Sequence, residues 1–316
     1  HKLIYTLHQE GRIFFVLKLQ QLILIVKLGR LHFIVAGFLV YLLGVLLAVV
    51  LFNQFSWERF LLGYAVLLPA HLMVNYSNDY FDVEVDQYSS PTQFSGGSGV
   101  LLNHPELRSF ARNFSLAMIA LSLSLGVVFS YLFNSSVFLL ITICGNLLGW
   151  FYAAPPIKLA YRGWGEIATI ASGFLILGLG FAAMTSIINL EFILFSIPVM
   201  LLYTLFILSV EIPDREADKK GGKNTFIVRF GLTNALLLTV IASALACASF
   251  LILPQDLFYP INLQLVALLS IIPLVSAVMA LLSRKASLDV LDKSVGRNVN
   301  ALILAIVLMN VYIFII

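Results

Sequence analysis

Long apolar runs alternate along this chain with short polar stretches. Nine are predicted to cross a membrane as helices, near 31–52, 58–79, 109–133, 136–154, 164–187, 190–211, 231–254, 259–283 and 296–316. A helix of about 20 residues rises about 30 Å, the thickness of the hydrocarbon layer. Residues 1–30 read differently. Arg12, Lys18, Gln20, Gln21 and Lys27 interrupt an apolar background there. That pattern predicts an amphipathic segment lying at the membrane surface, ahead of one nine-helix domain over 31–316.

The basic residues orient these spans. With a cytoplasmic N-terminus, the cytoplasmic segments are 1–30, 80–108, 155–163, 212–230 and 284–295, with their helix ends. Of the 19 Lys and Arg, all but Arg59 fall there. Positive charge stays on the cytoplasmic side, so the pattern predicts N-terminus inside and C-terminus outside. The two long loops, 80–108 and 212–230, share that side, and each begins with an acidic motif. Their helices enter in the same orientation, four spans apart. This predicts two parallel four-helix units and a ninth helix, with a shared site between the halves.

Composition agrees. The chain is 60% hydrophobic and 11% charged, with a mean hydropathy of +0.99. A soluble domain carries roughly twice that charge. The expected class is an all-α polytopic membrane protein in the cell membrane, surrounded by lipid, with no separate soluble domain. The net charge of +3 does not point to nucleic acid, because topology already accounts for the basic residues. Cys144 and Cys247 lie inside apolar runs and read as small buried hydrophobes.

The chemistry sits in two acidic stretches. The first, Asn75-Tyr-Ser-Asn78-Asp79-Tyr-Phe-Asp82-Val-Glu84-Val-Asp86, closes the second apolar run. On a helix, Asn78, Asp82 and Asp86 recur every fourth residue and share a face, with Asn75 and Asp79 beside them. The second stretch, Asp214-Arg-Glu216-Ala-Asp218, follows the sixth run and has the same four-residue spacing. Facing oxygen ligands of this kind suit Mg2+, which binds carboxylates together with substrate phosphates. The plainer reading is a set of solvated charges at a membrane boundary. Two regular arrays on one side, four helices apart, favour the metal. Glu84 and Glu216 fall off the register and read as solvated.

At these residues the chain resembles the UbiA superfamily of intramembrane prenyltransferases. The motifs are Asn78-xxx-Asp82-xxx-Asp86 and Asp214-xxx-Asp218, on a matching span count. The resemblance implies nine helices around a central cavity capped on the cytoplasmic side. It also implies two Mg2+ ions, held by Asn78, Asp82, Asp86, Asp214 and Asp218 and bridged by the diphosphate of an isoprenyl donor. Two further stretches resemble the menaquinone-type branch, which prenylates 1,4-dihydroxy-2-naphthoate. They are Asp214 to Thr225 and Tyr152 to Glu166. The hydroxybenzoate and glycerol-phosphate branches carry an Asn-Lys-Pro-x-Arg-Pro-like segment where this chain reads Ser90-Pro-Thr-Gln-Phe-Ser95.

This reading assigns roles. The allylic C–O bond must ionise, so the leaving diphosphate needs positive charge. Lys158 and Lys223 are the catalytic candidates for that task, with Arg30, Arg162 and Arg215 as further substrate-binding positions. Asn75 is placed beside the donor. Tyr152, with Tyr76, Tyr80 and Phe81, is a candidate to shield the carbocation. Asp79 is a candidate base for the acceptor. The Gly96-Gly97-Ser98-Gly99 loop offers backbone N–H groups to an anion. The expected partners are an isoprenyl diphosphate and an aromatic acceptor. Rival readings are the same chemistry on a lipid glycerol phosphate or on another aromatic acceptor, and a cation-coupled transporter. A transporter predicts ionisable groups mid-span in several helices, and apart from His71 the spans hold almost none.

Overall fold

The structure, a computed structural model, describes residues 20–89, 92 and 94–316. Arg12 and Lys18 of the expected surface segment lie outside the described residues, as do Ser90, Pro91 and Gln93. The helices are α1 (20–28), α2 (Leu31–Phe52), α3 (Trp57–Asp86), α4 (Val100–Asn103), α5 (Arg108–Phe133), α6 (Ser136–Ala153), α7 (Gly165–Thr185), α8 (Leu190–Lys220), α9 (Phe226–Phe230), α10 (Leu232–Ile252), α11 (Leu263–Leu282) and α12 (Leu288–Ile315). Among the described residues nine helices are long and apolar enough to cross a membrane, matching the nine predicted runs.

Short polar residues set several boundaries. The Ser56 hydroxyl accepts the Arg59 N–H at 3.3 Å to start α3, and the Asn189 side chain accepts the Phe192 N–H at 3.1 Å to start α8. Such caps satisfy N–H groups that the first helical turn leaves free. Asn53 and Asn134 close α2 and α5 in the left-handed conformation, at φ 51° and 50°.

Two boundaries differ from expectation. The stretches 80–86 and 212–220, read as the beginnings of loops, are helix: α3 continues to Asp86 and α8 to Lys220. Hydropathy marks where a helix leaves hydrocarbon. The helix itself continues where polar side chains on one face find partners, as both motifs do here.

Consecutive long helices pack side by side, and α12 returns against α2 to close the ring. Inside it, α2 also packs on α7. Gly44 lies against the Leu177 backbone and Gly180 against the Tyr41 backbone, so close that a Cβ at either would collide. Small residues let helix backbones meet in a membrane, where packing replaces the hydrophobic effect as the driving force. Gly173, against the Tyr203 ring, and Gly178, against Phe192, make room on the same helix. Tyr41, Phe181, Phe192 and Phe195 are fully buried around this contact. The interior is therefore filled at the end away from the acidic motifs and hollow at the motif end. Cys144 corrects the expectation of burial: it is exposed on α6, while Cys247 is half-buried, and both are free thiols.

Candidate active site

The hollow end holds a cavity of about 600 Å³, lined by α2, α3, α6, α7, α8 and α12. From Asp86 at its mouth to His71 below is fifteen residues of α3, about 22 Å of helix. The walls change character along that path. Asn75, Asn78, Asp79, Asp82 and Asp86 of α3 face Asp214 and Asp218 of α8, while Leu39, Ile176, Leu302 and Ile306 line the apolar part. The helical spacing read in the sequence thus brings both motifs to one space, and all five expected metal ligands line it.

Several protein groups hold the carboxylates. Asn75 donates to the Gly29 carbonyl at 2.7 Å, tying α3 to the turn before α2. Asp79 accepts from the Ser98 backbone N–H at 3.2 Å and from the Ser98 hydroxyl. Asp82 accepts from Tyr161 Oη at 2.7 Å and Lys223 Nζ at 2.9 Å. Lys223 also lies 3.7 Å from Asp218, so one ammonium links the two motifs. Burial pulls the Lys223 pKa down, but Asp82 and Asp218 outweigh it and hold the group well above the ordinary lysine value. Asp214 accepts the Gly96 N–H at 3.0 Å. Gly97, at φ +64°, packs so tightly on Asp86 that a Cβ would overlap its carboxylate. The glycine loop does offer N–H groups to anions, and here those anions are Asp79 and Asp214.

Arg30 completes the charged rim. Burial lowers its pKa, against the opposing pull of Asp79, Asp86 and Asp214. A guanidinium stays charged regardless. Tyr152 also lines the cavity. Lys158, Arg162 and Arg215 are not among the lining residues. Lys158 Nζ sits 4.6 Å from the Tyr161 ring centroid, Arg162 donates to the Pro156 carbonyl at 2.9 Å, and Arg215 pairs with Glu216 at 3.2 Å. Tyr76, Tyr80 and Phe81 pack outside the cavity, against Phe114, Arg108 and Trp150 respectively. Sequence reasoning gave no site role to Tyr161, Ser98 or Glu211. Tyr161 and Ser98 reach the motifs only through long-range folding. Glu211 carried a signal: it precedes Asp214 by three residues and shares its helix face.

The donor set fits Mg2+. Every candidate is a hard oxygen ligand, and Asn78 Oδ1 is buried facing no donor. Among the described residues no three His, Cys, Asp or Glu groups converge at metal-ligand spacing. Mg2+ commonly takes only one or two carboxylates and completes its shell with water and substrate phosphate, so that spacing does not count against it.

Among the described residues, nine apolar helices closed around a cavity with an acidic mouth define a multi-pass integral membrane protein. The chain belongs to the UbiA prenyltransferase family, whose sequence profile matches residues 37–291, and is thus a membrane prenyltransferase. It is 30% identical over 225 residues to a 1,4-dihydroxy-2-naphthoate octaprenyltransferase of Bacillus subtilis (strain 168), covering 70% of each chain. A UbiA homologue from Archaeoglobus fulgidus, solved with GPP and Mg2+, shares the fold at a TM-score of 0.63 and 20% identity, over 92% of this chain and 98% of that one. The apo structure of a homologue from Aeropyrum pernix K1 gives a TM-score of 0.65 at 14% identity, over 88% and 98%.

Proposed function

We propose that this protein transfers a polyprenyl group from an isoprenyl diphosphate to an aromatic acceptor of the 1,4-dihydroxy-2-naphthoate type, with Mg2+, and releases diphosphate. One observation carries the reading. Both acidic motifs converge, through Lys223, on the mouth of a cavity whose further walls are mostly apolar. That shape suits a molecule with a polyanionic head and a hydrocarbon tail. The naphthoate enzyme among its relatives favours the acceptor class.

In this reading Asn78, Asp82 and Asp86 of α3 and Asp214 and Asp218 of α8 would hold Mg2+ together with the donor's diphosphate. Bound Mg2+ supplies Lewis-acid charge to the departing diphosphate. Lys223 and Arg30 add fixed positive charge at the same rim, already desolvated and in place. The tail runs down the cavity past Leu39, Ile303 and Ile306. Val35 lines the cavity and is also exposed on the outer face, which gives the tail a route to lipid beside α2 and α12. The surrounding walls keep water from the allylic cation. Tyr152 is the aromatic group placed to face it. Lys158, Arg162 and Arg215 serve the loop surface.

The positive-inside pattern favours the motif end of this domain, 31–316, at the cytoplasmic face of the cell membrane. The test is product mass after purified protein is incubated with Mg2+, a labelled polyprenyl diphosphate and a panel of acceptors. A prenylated naphthoate is expected. Product from a glycerol phosphate lipid and from no aromatic acceptor refutes the acceptor assignment.

A further inference from the structure

Among the described residues, Glu211 is a cavity-lining carboxylate with both oxygens buried and no N–H or hydroxyl donor at either. It is only 6% exposed. A carboxylate accepts hydrogen bonds and, when ionised, donates none, so burying it without a donor is costly. The site's other carboxylates show how this chain normally meets that cost. Asp79 has Ser98, Asp82 has Tyr161 and Lys223, Asp214 has Gly96, and Lys223 lies beside Asp218. Its neighbour Glu166 of α7 takes the Phe226 backbone N–H, and a proton shared between the two carboxyl groups offsets part of the cost while leaving Glu211 an oxygen free to accept.

Position narrows what completes it. Glu211 stands three residues before Asp214, about 4.5 Å deeper along α8. That is just below the rim where the diphosphate would sit, at the level of the donor's reacting carbon. The Thr225 hydroxyl oxygen, also buried with no partner, lines the same cavity, as does Tyr152. Two polar groups with free hydrogen-bonding capacity and an aromatic ring fit a planar ligand with polar substituents.

We infer that Glu211 receives a hydroxyl of the aromatic acceptor, with Thr225 meeting a second polar atom, so that the acceptor ring lies beside the donor's allylic carbon. The inference rests on the prenyltransferase reading and adds the acceptor subsite to it. Asp79, the candidate base that the sequence suggests, has both oxygens engaged by Ser98. Glu211 keeps an oxygen free to accept, and what it recognises is a hydroxyl that donates.

The test compares wild type with Glu211→Gln and Glu211→Ala, each purified whole in detergent with Mg2+, geranyl diphosphate and 1,4-dihydroxy-2-naphthoate. Glu211→Gln keeps the shape and removes the charge. Both variants are expected to raise the acceptor KM at least about tenfold, the scale of a lost hydrogen bond to a charged group. Mg2+-dependent retention of labelled geranyl diphosphate should stay within about twofold of wild type, because its head is held by other residues. Equal loss of donor retention would assign Glu211 to the diphosphate site and overturn the inference. So would an unchanged acceptor KM in Glu211→Gln. A wild type that prenylates no aromatic acceptor refutes the wider reading and the inference with it. A wild type that does so, with Glu211→Gln equally active, refutes the inference alone.

Discussion

The two acidic helix ends face one cavity, yet they are held differently. On α3 the carboxylates are braced by the rest of the fold. Ser98 fixes Asp79, Tyr161 and Lys223 fix Asp82, and Gly97 packs on Asp86. On α8, Asp214 has one backbone N–H, Asp218 has Lys223 at 3.7 Å, and Glu211 has only the neighbouring Glu166 carboxyl group. The difference separates two tasks. The α3 face is preorganised, so its ligands need little rearrangement when charge arrives. On the proposed reading, the α8 face leaves its polar capacity to the substrates. The 94–98 loop and Lys223 touch both, and they keep the two halves at one working distance.

Lys223 is the sharpest place to break that link. Lys223→Met keeps much of the bulk and removes the charge from between Asp82 and Asp218. It should lower kcat/KM about 100-fold, the scale of losing one preorganised charge-stabilising group, as measured by steady-state product formation. Activity close to wild type would mean that the motifs are coupled by other groups. Lys158 gives the opposite limit. It lies outside the cavity lining, over the Tyr161 ring. Lys158→Met should change kcat/KM by no more than about threefold in the same assay, as expected for a partly exposed charge. A larger loss would bring the 155–163 loop into the diphosphate site.

The sequence made the number of spans legible because each apolar run must cover the same hydrocarbon thickness. It made the motif faces legible because a four-residue spacing is a property of one helix. It hid the extent of α3 and α8, since hydropathy falls at the membrane edge while the helices continue. It separated cavity residues from surface ones poorly: Lys158 and Lys223 looked equivalent, yet only Lys223 folds back against Asp82 and Asp218. The Ser98 and Tyr161 contacts span 19 and 79 residues along the chain, and no local pattern encodes them. Glu211 is masked in the sequence by the apolar run that it ends, and its three-residue offset from Asp214 is the one local signal of its place.

The central claim is that two helix ends form a single diphosphate site. A double-mutant cycle on Mg2+-dependent binding of labelled geranyl diphosphate tests it most directly. Wild type, Asp82→Asn, Asp218→Asn and the double variant would be compared in detergent at fixed salt. Groups that act on one ligand as a unit are not additive. The account predicts that either single substitution weakens binding at least about tenfold, and that the double loses little more than the worse single. Additive losses, or a single substitution that leaves binding unchanged, would contradict a site shared between α3 and α8.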